Sequence, residues 1–381
     1  MQRSSIYLLL FSVVGLVALG MVMLFSTSAF AQDSHGDIYY FVKRQGMWLV
    51  IGVIACVVGA WTDYHFWQRS WYVWFCLAAI LLGLCFVPHV GMRINGSLRW
   101  LNLHFAVFQP SEMAKIAAVF FLAWWFARKE TDAESYVQGL IIPMGVVMVL
   151  IGLIGAEVDL GTSALIGATV MGICLVAGAN WIVIGSLGGV GLVGLLGIAL
   201  LIPERAARMV SFMHPESDKL GKGLQQWNAL IAFGSGGFDG LGLGEGRQKM
   251  MYLPYAHTDF IFPMIGEELG LKVTWLVLLG YILIILCGGL IAANAKDRFG
   301  KLLAMGILLL ISLQAAVNIG MTTSLLPNKG MPLPFISYGG SNLAICLFMI
   351  GILVNIHRIG IPIAPVPERH VVHTPRSVPR I

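Results

Sequence analysis

The sequence predicts an all-α polytopic membrane protein of about ten transmembrane helices, with a large extracytoplasmic loop between the seventh and the eighth. Three observations predict it. Of 381 residues, 58% are hydrophobic and only 11% charged, against about 25% charged in an ordinary soluble domain. So few charges cannot build a water-facing surface. Mean hydropathy is +0.83. Apolar runs of about 20 residues, the length that crosses the hydrocarbon core, recur along the whole chain. The net charge of +5 is small and scattered, which excludes a nucleic-acid surface.

The first run, Ile6–Phe25, imitates a secretory signal, with Arg3 before it and Ala29-Phe30-Ala31 after it. It is longer than the roughly 7–15 residues of such a signal and reads as an uncleaved span. Gly46–Trp61 and Ser70–Val87 follow. The fourth span starts at Pro110, a residue suited to a first helical turn, and ends near Ala127. Val137–Ala156 and Leu160–Gly178 are separated by a very tight break. The seventh, Trp181–Ile202, contains Gly189, Gly191 and Gly194 in GxGxxG spacing. No strand precedes them, so close helix packing explains them better than dinucleotide binding. Phe262–Ala292, Leu302–Thr323 and Ser341–His357 complete the set. This gives a membrane domain over residues 1–357, a loop at about 203–261, and a proline-rich tail, 358–381, expected to be disordered and cytoplasmic. The six cysteines lie in apolar runs without CxxC spacing and read as small buried hydrophobes.

Lysines and arginines divide evenly between the two sides, so charge leaves orientation open. The cations on the outer side suggest a bound anion.

Polar groups concentrate in Tyr252–Gly270, YLPYAHTDFIFPMIGEELG. His257, Thr258 and Asp259 stand before the eighth span and Glu267 and Glu268 within it. Such groups at a membrane are costly unless paired or functional. Asp259 is either a helix cap or a catalytic carboxylate. Four further clusters belong with it. Arg93 and Arg99 flank an Asn95-Gly96 turn and suit phosphate oxygens or lipid headgroups. Glu112 and Lys115 share one helix face and either pair or line a cavity. Asp159 can cap the sixth helix and could meet Lys115 across the bundle. The glycine-rich run Phe233–Gly246 allows anion-binding nests or forms a plain surface loop. Finally, Leu326–Ser341, with Lys329, Ser337 and three prolines, cannot be a regular helix. Irregular backbone at membrane depth lines a cavity or is buried.

The ordered motifs Asn95-Gly with Arg99-Trp100, Gln109-Pro-Ser-Glu-Met-Ala-Lys115, Asp159-Leu-Gly-Thr162, His257-Thr-Asp-Phe260 with Glu267-Glu-Leu-Gly270, and Pro334-Phe-Ile-Ser-Tyr-Gly-Gly-Ser341 resemble the SEDS family (shape, elongation, division and sporulation). The resemblance covers about Phe25 to His357. The runs at Tyr252 and Leu326 are closer to the division branch than to the elongation branch. Tyr255 and Asn342 depart from the usual glutamate and serine.

The resemblance implies a peptidoglycan glycosyltransferase that polymerises lipid II, an undecaprenyl-pyrophosphate-linked disaccharide-pentapeptide, in the bacterial cytoplasmic membrane. It implies Asp259 as the essential carboxylate; Asp259 is the expected general base, with His257, which titrates near neutral pH, as the alternative. Arg99, Glu112, Lys115, Asp159, His257, Lys329 and Ser337 are the expected substrate-binding residues, with Arg99 and Lys115 on the pyrophosphate and Glu112 and Asp159 holding Lys115. A class B penicillin-binding protein is the implied partner, with other division proteins at the septum. No cofactor is evident, although Asp259 could hold a divalent cation. The alternatives are a lipid II flippase, an elongation-type polymerase and a non-catalytic scaffold.

Overall fold

The computed structural model describes residues 2–28, 37–94, 97–102, 107–201, 212–219, 221, 223–250, 253–254 and 256–360. The helices are α1 (Gln2–Ser28), α2 (Tyr40–Trp61), α3 (His65–Leu84), α4 (Pro110–Ala127), α5 (Ile142–Ala156), α6 (Leu160–Ala177), α7 (Trp181–Leu201), α8 (Leu224–Gly236), α9 (Ile261–Ala293), α10 (Arg298–Thr322) and α11 (Gly340–Gly360). A π-helical turn, Val137–Ile141, leads into α5. Among the described residues, seven helices are long and apolar enough to cross a membrane: α1, α2, α5 with its π turn, α6, α9, α10 and α11. The chain is an integral membrane protein. Helices α3, α4 and α7 occupy the remaining predicted runs.

Helix α4 lies at the centre. It is buried on every side, from Pro110 to Ala123 without interruption, as expected of a helix that is apolar all round beyond its first turns, where Glu112 and Lys115 pair. It packs against α3, α6 and α10, while α11 lies along α2 and α1 along α9. The helix ends follow local chemistry. Asp159 caps α6 by accepting from the Thr162 N–H at 3.1 Å. Asp297 caps α10 through the Gly300 N–H at 2.8 Å. Gly178, at φ 100°, ends α6 in the left-handed conformation that glycine adopts freely.

Two elements depart from expectation, a sheet in an all-helical reading and a helix in a predicted loop. Between α3 and α4 the chain forms an antiparallel sheet of β1 (Gly91–Ile94), β2 (Ser97–Asn102) and β3 (Val107–Phe108). Ile94 pairs with Ser97, so a two-residue connection joins β1 to β2. Asn-Gly is the favoured pair for such a hairpin, but Asn95 and Gly96 lie outside the described residues. The second is α8, inside what reads as one long loop. It packs on α9.

Helix α9 is broken at Gly270, with φ 77° and ψ −179°. There the strap 237–242 pairs with it: Leu241 and Gly242 donate to the Glu267 and Glu268 carbonyls, both at 2.9 Å, and Leu271 donates to the Gly237 carbonyl at 2.9 Å. Helix α11 runs to Gly360, past the predicted end of the last span. The rest of the predicted tail lies outside the described residues. Of the six cysteines, all unbridged, Cys85, Cys174, Cys287 and Cys346 are buried, Cys56 is half-buried and Cys76 is exposed.

Candidate active site

Asp259 lies in the turn that leads into α9, anchored by Phe260 and Ile261, which are fully buried. Its backbone carbonyl accepts from Asn318 Nδ2 of α10 at 2.9 Å. The same amide donates to the Met331 carbonyl at 2.6 Å. One side chain thus ties the Asp259 turn to the irregular segment between α10 and α11. Gly330 of that segment has φ 58°, and a Cβ there would stand 3.1 Å from Asp259 Oδ2. Only glycine lets the backbone pass so close in that conformation.

The Asp259 carboxyl is half-buried. Among the described residues it makes no hydrogen bond and no ion pair within 4.0 Å. Burial lifts its pKa to about 6; the Arg99 guanidinium works against the rise and the Asp159 carboxylate adds to it. Arg99, on β2, approaches Asp159 Oδ2 at 3.7 Å. Asp159 also accepts from the Thr162 hydroxyl at 2.9 Å. The sheet is fastened to the α5–α6 turn because the Ser97 hydroxyl donates to the Glu157 carbonyl. A Cβ on Gly161, at the start of α6, would stand 3.4 Å from the Lys329 carbonyl. Asp259, Arg99, Asp159 and the Lys329-Gly330 backbone therefore form one cluster. Arg99 Nε is buried in it with no acceptor among the described residues.

Lys115 pairs with Glu112 as expected, but not with Asp159. Its Nζ lies 2.7 Å from Glu112 Oε2, both side chains being 4% exposed, and donates to Gln314 Oε1 at 2.7 Å. Gln314 in turn donates to the Pro332 carbonyl at 2.9 Å. Asn342 donates to Glu112 Oε2 at 2.8 Å. The second partner expected from sequence, Asp159, is occupied by Arg99 and by capping α6. The reach of Lys115 is filled by Glu112, one turn away, and by Gln314 across the bundle. Through Gln314, Lys115 is thus linked to the Pro332 carbonyl of the segment beside the cluster.

His257 packs its ring against Phe41, with centroids 4.3 Å apart, and its carbonyl accepts from the Tyr338 N–H at 3.0 Å. Ser337 is 4% exposed. Its hydroxyl accepts from the Leu333 N–H at 2.8 Å, so it closes a turn in the proline-rich segment. Tyr252 and Tyr255 lie outside the described residues.

The end of the glycine-rich run, at Gly244, and the residues just after it, Arg247 and Gln248, do present backbone N–H groups to anions, but the anions are the chain's own. Glu267 accepts from Arg247 N at 2.9 Å and from Gln248 N at 3.2 Å. Glu268 accepts from Gly244 N at 2.9 Å, from Lys249 Nζ at 2.7 Å and from the Ser26 hydroxyl at 2.8 Å. The Lys249–Glu268 pair is 1% and 0% exposed. Glu157, in the α5–α6 turn, is 1% exposed. Burial lifts its carboxyl to about 8, the Cys85 thiol opposing, Asp159 adding to the rise and Arg99 opposing it. Among the described residues no three His, Cys, Asp or Glu side chains gather as a metal-ligand set.

The family model covering FtsW, RodA and SpoVE, described as a cell cycle protein, matches residues 7–360. The chain belongs to this family. It is 38% identical to the probable peptidoglycan glycosyltransferase FtsW of Trichlorobacter lovleyi, over 94% of each chain. It is likewise 38% identical to the stage V sporulation protein E of Bacillus subtilis, over 90% of this chain and 94% of that protein. Among solved structures it resembles a chain of a peptidoglycan synthase complex studied for the coordination of polymerization and crosslinking, with TM-score 0.76, 25% identity, and 92% and 97% of the two chains covered. It also resembles the rod shape determining protein RodA of Thermus thermophilus, with TM-score 0.68, 26% identity, and 92% and 95% covered.

Sequence reading of this FtsW, RodA and SpoVE family member missed Gln314, Asn318, Gln45 and Ser26. Gln45 receives the Gly339 N–H at 3.3 Å and donates to the Ser337 carbonyl at 3.2 Å. The signal was present for two of them. Gln314 and Asn318 are four apart on an otherwise apolar helix, and a lone amide in such a run needs a partner inside the bundle.

Proposed function

We propose that the chain is a peptidoglycan glycosyltransferase that polymerises lipid II at the outer face of the bacterial cytoplasmic membrane, acting in cell division. The observation that carries the reading is the Asp259 carboxylate. It stands beside Arg99 and Asp159 with no hydrogen bond among the described residues, while Glu112, Asp159, Glu267 and Glu268 are all engaged. Family membership and the FtsW relatives support the activity and its place in division.

In the proposed reaction Asp259 accepts the proton of the acceptor sugar hydroxyl. The hydroxyl oxygen bonds to the donor's anomeric carbon as the bond from that carbon to the pyrophosphate breaks. The electron pair leaves on the pyrophosphate, whose charge Arg99 and Lys329 balance. A carboxyl lifted to about 6 is largely ionised at pH 7 and more basic than an ordinary aspartate, as a general base requires. Lys115, Glu112, Gln314 and Asn318 hold the Met331–Pro332 backbone, and with it Gly330, against Asp259. His257 and Ser337 support the same segment.

The proposed arrangement is ten spans with both termini cytoplasmic, the β-sheet and the 203–261 segment outside, and a class B penicillin-binding protein as partner. The resemblance to a chain of a peptidoglycan synthase complex supports that partner.

The test is lipid II polymerisation by the purified chain in detergent, with and without a class B transpeptidase. Glycan strands should form, and Asp259→Asn should lower their rate by about 10²–10⁴-fold. A flippase would make no glycan.

A further inference from the structure

At the end of the bundle away from Asp259, a cavity of about 440 Å³ opens between the last turn of α6 and the start of α10. Val176, Ala177 and Leu302 supply apolar walls, and Lys296, Arg298 and Lys301 bring three positive charges. All three cations are exposed, and among the described residues none has a carboxylate within 4.0 Å. The one acid in the lining, Asp297, is occupied. It accepts from the Tyr64 hydroxyl and the Gly300 N–H and bonds His65 Nε2 at 3.0 Å. Arg298 is held in place by donating to the Ala177 carbonyl at 3.1 Å, which fixes its guanidinium at the cavity.

Both helices that frame the cavity are candidate membrane spans, and the cavity lies where one ends and the other begins. That is the depth of the lipid headgroups. We propose that the cavity binds the phosphodiester headgroup of an anionic phospholipid. The volume falls within the roughly 300–1,000 Å³ of small-molecule sites. The lining matches both halves of the ligand, with cations for the phosphate and apolar side chains for the glycerol and first methylenes. A basic pocket between spans at the membrane surface is the arrangement that selects anionic lipids over zwitterionic ones. This proposal does not rest on the glycosyltransferase reading, since it concerns the opposite end of the molecule.

The test uses the full chain, purified in detergent, with dioleoyl phosphatidylglycerol and dioleoyl phosphatidylcholine as probes and lipid adducts counted by native mass spectrometry. The wild type should retain phosphatidylglycerol in preference to phosphatidylcholine. Lys296→Gln with Lys301→Gln, whose side chains are exposed and make no hydrogen bond among the described residues, should weaken that binding by about fivefold per charge. Adding Arg298→Gln should weaken it again. Lys43→Gln, a surface change elsewhere, should leave it unaltered. Equal retention of the two lipids, or unchanged phosphatidylglycerol binding in the double variant, would overturn the proposal. So would inorganic phosphate displacing phosphatidylglycerol at equal concentration, because the site would then be one for free phosphate.

Discussion

Asp259 and Glu268 are carboxylates nine residues apart, and the chain treats them oppositely. Glu268 is fully buried and receives a lysine, a serine hydroxyl and a backbone N–H. Asp259 is half-buried and receives none of these among the described residues, with Arg99 near enough only to temper its pKa. A carboxylate whose hydrogen bonds are filled by its own chain fixes structure. One left open beside a cation is available to a substrate. Burial alone would have ranked the two wrongly, since Glu268 is the more extreme case.

The largest expected effects separate the two residues directly. Asp259→Asn should lower glycan synthesis by about 10²–10⁴-fold and leave the melting temperature in detergent close to wild type. Glu268→Ala should do the reverse in kind. It breaks the buried Lys249–Glu268 pair by removing its carboxylate, an effect worth about 3–5 kcal/mol, so unfolding should come at clearly lower temperature. Should Glu268→Ala melt normally, the Glu268 carboxylate does not hold Gly244 and Lys249 as described.

Glu157 sharpens the comparison as a third case, buried without being paired. Its folded pKa, about 8, is above the ordinary 4.5. The neutral form is therefore favoured in the fold. The stability linked to it is full below pH 4.5 and is lost as pH rises through 8. Glu157→Gln should thus unfold at higher temperature than wild type at pH 9, by an amount on the order of a few kcal/mol, and match it at pH 4. Equal pH dependence of the two proteins would show that Glu157 is not buried uncharged.

A smaller effect is expected at Gly330. Alanine there carries a strain of about 1 kcal/mol at positive φ, and its Cβ meets Asp259 Oδ2. Activity should fall by more than stability does. A variant with normal activity would mean that this backbone does not position the carboxylate.

The helical membrane class was legible because the apolar runs had the right length, and seven of them are helices able to cross a membrane among the described residues; α4 begins and ends where Pro110 and Ala127 suggested. The sheet was not, because its strands are short and only Asn95-Gly96 marked the hairpin. The candidate cluster was half legible. Asp259, Arg99 and Asp159 do come together, but Asp159 was assigned to Lys115. Spacing along a sequence gives helix faces, not which helices face each other. The glycine-rich run was read as a nest or a surface loop. That the Glu268 carboxylate would take the Gly244 N–H of the run, and Glu267 the N–H groups just after it, is a tertiary fact with no local signal.

The central claim is that Asp259 is the base and that its own proton governs the rate. The direct measurement is lipid II polymerisation against pH, from 5 to 8, for wild type and Asp259→Asn. The wild type should lose activity as pH falls through about 6, where the carboxyl takes up its proton, by about tenfold per unit further down. The asparagine variant should show only a low rate without that limb. An unchanged limb in the variant, or polymerisation at the wild-type rate, would place the base on another residue.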